Sequence, residues 1–396
     1  MEKKRLLLIL ENHFCIDKND VVWCERVVNY EYIKRYLTVF DEVVLMGRCK
    51  VLKENDSNDL LKVSGSNVTF VSLPEFKGIK GLVKNILTIR KKIKEELKNI
   101  DCVIYRVPTH IAIFSYDLVV KNKKTLGLEM MMAANKMIEG NGVINRFLNN
   151  WIDLKVKKMC KKANGVSYVT EKMLQMRYPC KALIDNNKDY FTENYSSIEL
   201  NENDFKKQDW NKNKKPDVFK IVHTGYMDSY RKGQDTLIKA ISKVDKKYNV
   251  EVIFIGDGKK RKEFEELAEK LGIKNKVSFL GYINNKKKIL NIIHNAHLFV
   301  FPTHSEGLPR TVIEAMSQGL PCISSPVDGI PELLEDRFLI EYHNVDGYSK
   351  KIEELLDDWE EMIEIGEKNF LISKRYSKEL LQKKRTTFYR CLYNIS

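Results

Sequence analysis

The eight cysteines of this chain (15, 24, 49, 102, 160, 180, 322 and 391) include no Cys-x-x-Cys pair. Disulfide frameworks and thiolate metal sites need close, paired spacing, so neither is expected, and the thiols read as free and mostly buried. The seven histidines also lack ligand spacing; His294 and His297 fall at a helix end and a strand start. No Asp-x-Asp occurs anywhere, so no short carboxylate motif is offered to a divalent metal. No apolar run approaches the roughly 18 residues that span a membrane. The opening MEKKRLLLILENHF holds a short apolar stretch, Leu6 to Leu10, where a signal peptide needs about 7–15 such residues. It reads as a first buried strand, and a cytoplasmic chain is expected.

At 396 residues, with 43% hydrophobic and 31% charged residues, the composition is that of a soluble globular protein of two domains. The net charge is +14, and its distribution is uneven. Residues 1–195 carry 34 Lys+Arg against 23 Asp+Glu; residues 196–396 carry 34 against 31. Two stretches concentrate the excess, Lys77 to Lys98 and Arg146 to Lys162, both with helical apolar spacing and basic residues between. Such helices suit an anionic membrane surface, or equally are packed helices with a solvated lysine face. Nucleic acid is not an expected partner, because no binding motif or aromatic stacking stripe accompanies the charge.

The second half alternates strand and helix. Strands are predicted at Phe219–Thr224, Val250–Ile255, Val277–Leu280 and His297–Phe301, and helices at Gln234–Val244, Lys260–Leu271 and Lys286–His294. This alternation implies a parallel sheet with covered faces, which places its ligand at the carboxyl ends of the strands. The first half is similar but less regular, with strands predicted at Arg5–Leu10, Glu42–Met46, Val68–Val71, Cys102–Tyr105, Thr125–Leu128 and Gly165–Val169. The lysine- and asparagine-rich stretch Asn194 to Pro216 reads as a linker, and the chain ends in a helical segment from about Ser377.

The most informative segment is FPTHSEGLPRTVIEAMSQGLPCISS. A strand ends at Pro302, a polar loop carries Glu306 and Gly307, and Pro309 stands at the first helical position. A helix over Thr311 to Gln318 then carries Glu314, is closed by Gly319, and leads to a strand at Pro321 to Ser324. The helix start supplies unpaired N–H groups and partial positive charge for a phosphate. Carboxylates to either side accept hydrogen bonds from sugar hydroxyls. A nucleotide-sugar fits this arrangement.

The stretch PTHSEGLPRTVIEAMSQGLPCI resembles the donor-site signature of the retaining glycosyltransferases of family 4, in which seven residues lie between two glutamates. The resemblance covers residues 216–375 well and is topological before residue 195. It implies the α/β GT-B fold, two Rossmann-like domains facing across a cleft. Residues 1–195 would form the acceptor-side domain, with the carboxy-terminal helix (377–396) packing back on it, and residues 216–376 the donor domain. It further implies that Glu306 lies by the donor sugar and Glu314 on the ribose, with the N–H groups of Gly307 and Leu308 facing the diphosphate. Lys232, in HTGYMDSYRKGQ, matches a family lysine on the diphosphate. The family arginine after Gly225 is Tyr226 here, leaving Arg231 or Arg310 to supply the second cation. The turn Gly256-Asp257-Gly258 and the edge at Gly281-Tyr282 would flank the nucleotide. Where the family often has a histidine after a first-domain strand, this chain has Glu129; Glu129 and Arg106 are candidates for touching donor or acceptor, each against a structural salt bridge.

The implied reaction is retaining hexosyl transfer from a nucleotide-diphosphate sugar, UDP before GDP, without metal or other cofactor. Glycan or lipid-linked acceptors of capsule or lipopolysaccharide O-antigen synthesis are the implied partners, at the inner face of the plasma membrane. The alternative is a non-catalytic protein of the same fold that binds a sugar nucleotide or supports a partner enzyme.

Overall fold

Leu6 to Leu10 are all buried, as in a strand covered on both faces. The computed structural model describes residues 3–25, 28–52, 60–138, 142–185, 187 and 189–396. The chain divides into two units, Met1–Tyr195 with Gln382–Ser396, and Ser196–Leu381.

Among the described residues, the first unit holds nine strands: β1 (Arg5–Ile16), β2 (Val22–Cys24), β3 (Glu42–Val51), β4 (Leu61–Lys62), β5 (Val68–Leu73), β6 (Cys102–Val107), β7 (Thr125–Met130), β8 (Gly165–Tyr168) and β9 (Phe191–Asn194). β3 and then β5 pair on one side of β1, and β6 to β9 follow on the other, all parallel. The strand order therefore reverses between β1 and β6. β1 runs past its expected end at Leu10 because a register shift between Ile9 and His13 carries it on beside β3 and the antiparallel β2. β6 and β7 are each two residues longer than expected, so Arg106 and Glu129 lie inside paired strands, opposite each other, rather than after them.

The last helix, Lys378–Ile395, enters the first unit from Gln382 onward. Gly127 of β7 admits it: a Cβ there would stand 2.6 Å from a Leu392 methyl. The Lys4 ammonium donates to the Tyr393 carbonyl at 2.5 Å, and the Phe40 and Tyr393 rings meet at 5.7 Å.

The second unit holds β10 (Phe219–Thr224), β11 (Val250–Ile255), β12 (Val277–Phe279), β13 (Leu298–Phe301) and β14 (Cys322–Ser324), parallel in the order β12-β11-β10-β13-β14. Its order reverses between β10 and β13. Leu237, Ile238 and Ile241 of the Gln234–Lys243 helix are buried in one core with Ile221, Val252 and Leu298. Their spacing puts them on one helix face.

The stretch read as a linker is instead built into the second unit. Gln208 donates its amide to the carbonyls of His294 (2.7 Å) and Gln318 (3.0 Å), and Gln318 donates to the Asp204 carbonyl at 2.6 Å. Trp210 packs on Trp359 with ring centroids 4.9 Å apart. Polar composition misleads here because these amides satisfy carbonyls left open at helix ends.

Candidate donor site

The loops after β10 and β13 leave the sheet at the point where its strand order reverses, the usual ligand edge of a doubly wound sheet. β10 ends at Thr224, and Gly225 to Gly233 lead into the Gln234–Lys243 helix. Gly233 has φ +76°, and a Cβ on it would stand 1.9 Å from the Pro302 carbonyl oxygen, so only glycine lets the two loops touch. The Arg231 carbonyl joins them further, accepting from the Thr303 hydroxyl (3.1 Å) and the His304 N–H (2.8 Å).

This contact brings Lys232 onto Glu306. The Lys232 ammonium forms an ion pair and hydrogen bond with Glu306 Oε1, both side chains being mostly buried. Lys232 is placed from behind by His223, fully buried in β10, whose Nε2 lies 2.9 Å from the Lys232 carbonyl oxygen. Burial pushes the His223 imidazole down to about 4, so it is neutral at physiological pH and its Nε2–H donates to that carbonyl. Gln234, also buried, donates to the Tyr226 carbonyl at 3.1 Å and shapes the turn after Gly225. Sequence reasoning missed both residues, which act on main-chain carbonyls and carry no motif.

Glu306 is held at its own N–H by Asp328 Oδ2 at 3.0 Å, and the Gly329 N–H donates to the Gly307 carbonyl at 2.8 Å. Asp328, at φ +47°, was also missed; the Asp-Gly pair in SSPVDGI was the available signal. Among the described residues, the N–H groups of Gly307 and Leu308 donate to no protein acceptor. Pro309 is the cap before the Arg310–Ser317 helix, not its first residue; ψ +114° puts it outside the helix. Glu314 lies in the second turn, half-buried. Burial raises its carboxyl above the usual range, opposed by Arg310 and Lys286.

Gly256 and Gly258 are explained by backbone approach. With φ +137° and +157°, their hypothetical Cβ atoms would stand 2.1 Å from the Gly225 carbonyl oxygen and 2.4 Å from the Met227 carbonyl carbon. The Gly256 N–H donates to the Gly281 carbonyl at 3.0 Å, so Gly225, Gly256 and Gly281 form one stack of loop backbones. Asp257 pairs with Arg261 at 3.1 Å. Tyr226 and Tyr282 are exposed along this edge, and the Arg231 and Arg310 side chains are exposed beside the Lys232 loop and at the helix start.

Glu129 has a different setting. It is 4% exposed and accepts from the phenols of Tyr36 (2.9 Å), Tyr195 (3.0 Å) and Tyr389 (2.8 Å), with Arg106 Nε at 3.8 Å. Burial and the adjacent carboxylate push all three phenols well above their ordinary value, so they remain donors. Arg106 donates to Met131 Sδ at 3.1 Å and lies over the Tyr32 ring. Glu129 and Arg106 thus form a buried salt bridge that clasps the returning helix through Tyr389. The expectation that Glu129 touches substrate is corrected: its oxygens are already occupied by protein donors.

The first unit carries another polar group that the sequence did not announce, where its strand order reverses. Glu11 accepts from the Ile111 N–H (3.1 Å) with one oxygen and meets His110 Nδ1 (2.9 Å) with the other. Arg48 donates to the Glu11 and Phe76 carbonyls, and His13 pairs with Glu75 at 2.6 Å.

Residues 202–370 match the family described as glycosyl transferases group 1. The chain is 28% identical over 349 residues to protein CapJ of Staphylococcus aureus, covering 86% of this chain and 82% of that one. Among solved structures, HepE of Anabaena in complex with UDP aligns with a TM-score of 0.66 at 15% identity, covering 97% of this chain and 98% of that one. Sucrose-phosphate synthase of Thermosynechococcus elongatus aligns over 100% of both chains with a TM-score of 0.72, also at 15% identity. These likenesses make residues 202–370 similar to the group 1 glycosyl transferases and give the chain the GT-B fold, with reversal-point loops that hold Lys232 and Glu306 together.

Proposed function

We propose that the chain transfers a hexose, with retention, from a nucleotide-diphosphate sugar to a glycan or lipid-linked acceptor in capsule or O-antigen synthesis. The observation that carries this reading is the Lys232–Glu306 pair beside the free N–H groups of Gly307 and Leu308. As the sugar–phosphate bond lengthens, negative charge grows on the diphosphate. The Lys232 ammonium and the two N–H groups stabilise it there without a metal. Glu306, released from Lys232 by the phosphate, accepts from sugar hydroxyls and supports positive charge at the anomeric carbon. Glu314 accepts from the ribose hydroxyls. The acceptor hydroxyl attacks from the leaving-group face, and the departing phosphate takes its proton, so no protein base is required. Tyr226 and Tyr282 offer ring faces to the base, while Arg231 and Arg310 are the cations near enough in sequence to replace the missing arginine. On the acceptor side, Glu11 and His110 are polar groups suited to hydroxyls. UDP is the favoured nucleotide, since HepE, of similar fold, has been solved with UDP and with UDP-glucose.

The test is thermal unfolding with UDP, GDP, ADP and CMP on wild type, Lys232→Ala and Glu314→Ala. A nucleotide at about a hundred times its Kd stabilises by roughly 2.7 kcal/mol. UDP is expected to stabilise wild type, with the shift largely lost in both variants. No shift with any nucleotide would sink the donor reading. A UDP shift without transfer or donor hydrolysis would favour the non-catalytic alternative.

A further inference from the structure

We infer that residues 324–329, at the end of β14 and beyond it, are a brace that aims the Leu308 amide at the donor's diphosphate, and that Asp328 is its positioning residue. The inference rests on the donor reading above and adds residues which that reading does not use. It starts from a backbone outlier. Asp328 has φ +47°, a conformation uncommon outside glycine and tolerated by aspartate and asparagine. Such conformations persist where surrounding contacts hold them, and they gather at functional sites. The contact here is the Asp328 carboxylate, which accepts the Glu306 N–H at 3.0 Å.

The brace ties itself to the donor loop at successive points. The Ser324 hydroxyl donates to the Phe301 carbonyl at 2.6 Å, and the Ser325 hydroxyl donates to the Thr303 carbonyl. Asp328 takes the Glu306 N–H, and the Gly329 N–H donates to the Gly307 carbonyl at 2.8 Å. The brace is itself anchored, since Ser324, Ser325 and Ile330 are fully buried. Its turn is closed by the Ile330 N–H, which donates to the Val327 carbonyl at 3.1 Å.

Planar peptides turn these ties into an orientation. In a trans peptide the carbonyl and the following N–H point in opposite directions. The Thr303–His304 peptide shows the effect. Its carbonyl accepts from Ser325, and its N–H donates the other way, to the Arg231 carbonyl at 2.8 Å. The Gly307–Leu308 peptide obeys the same rule. Its carbonyl is held by Gly329, so the Leu308 N–H points away from the brace, where no acceptor among the described residues meets it. Leu308 is buried, and a buried N–H without an acceptor is uncommon. An anion is the ligand class that takes such donors from a loop leading into a helix. Asp328 also fixes the main chain of Glu306, from which the side chain reaches Lys232. One carboxylate behind the loop therefore sets both the direction of the open amide and the place of the Lys232–Glu306 pair.

The test compares the Kd of UDP and of uridine, by calorimetry, in wild type, Asp328→Gly and Asp328→Asn. Glycine and asparagine both accept φ +47°, so the backbone can keep its turn in each. Glycine removes the acceptor of the Glu306 N–H, whereas asparagine keeps an oxygen in its place. Asp328→Gly should bind UDP about tenfold more weakly, while uridine, which lacks the phosphates, stays within about twofold of wild type. Asp328→Asn should bring UDP back to within about threefold of wild type. Ser325→Ala cuts a separate tie of the same brace and should weaken UDP by about threefold, which keeps the test open if Asp328→Gly does not fold. Unfolding temperatures without ligand report folding. A folded Asp328→Gly that binds UDP like wild type overturns the inference and leaves the donor reading standing. Equal losses for UDP and uridine would make Asp328 a general support of the unit and overturn its positioning role. An asparagine variant no better than the glycine variant overturns it too. A wild type that binds no UDP counts against the donor reading itself, and the inference falls with it.

Discussion

Each unit holds a carboxylate beside a basic side chain on a parallel sheet, and the two are built differently. Glu129 of the first unit accepts from three phenols and faces Arg106, and it is closed off from solvent. Glu306 of the second unit is tied to one cation, Lys232, with the Thr303 hydroxyl at 3.5 Å from the same oxygen, on a loop whose amides at Gly307 and Leu308 remain open. A carboxylate surrounded by fixed donors is part of the framework. One paired with a single movable cation can exchange that cation for a ligand. Burial alone does not separate the two cases, since both side chains are largely enclosed; the number of fixed partners does.

That contrast can be broken most forcefully at Glu129. Glu129→Ala leaves Arg106 and three phenols unpaired in the interior and should cost about 3–5 kcal/mol, read by urea unfolding. Transfer per folded molecule should hardly change. A variant that keeps its stability but loses activity would return Glu129 to the reacting groups. Glu306→Gln should do the reverse, lowering kcat/KM by about 10²–10³ with little change in stability. Retained activity in that variant would remove Glu306 from the reaction. The smallest effect concerns the support behind Lys232. The His223 pKa is depressed from an ordinary 6.5 to about 4, so its contribution to stability is present above pH 6.5 and lost as pH falls toward 4. One proton corresponds to about 1.4 kcal/mol per pH unit across that window. His223→Gln should flatten this slope in acid unfolding curves, and an unchanged slope would show that His223 does not titrate as its burial implies. His297, lowered to about 4 chiefly by burial, adds a similar slope that the variant leaves in place.

Much of the second unit was legible in its residues. Phe219–Thr224, Val250–Ile255 and Lys286–His294 form the elements expected of them, because periodicity and the glycine turns agree. Lys232, expected on the diphosphate, and Glu306, expected by the donor sugar, are 74 positions apart, and the fold puts them in contact. The first unit was harder to read. The bulge that extends β1 and the inward placement of Glu129 have no local signature, since both depend on partners distant in sequence. Tyr389 lies 260 positions from Glu129.

The sequence by itself determined the alternation of strand and helix, the charge excess of the first half and the spacing of Glu306 and Glu314, because each is set by neighbours within a few turns of chain. Tertiary structure alone decided which polar residues are consumed internally and which stay open to a ligand. It also decided that Leu87 and Phe147 face outward beside the lysines, when the same helical spacing could have buried them. Whether a charge or an apolar side chain is satisfied depends on what the fold brings against it, and local patterning carries no record of that partner.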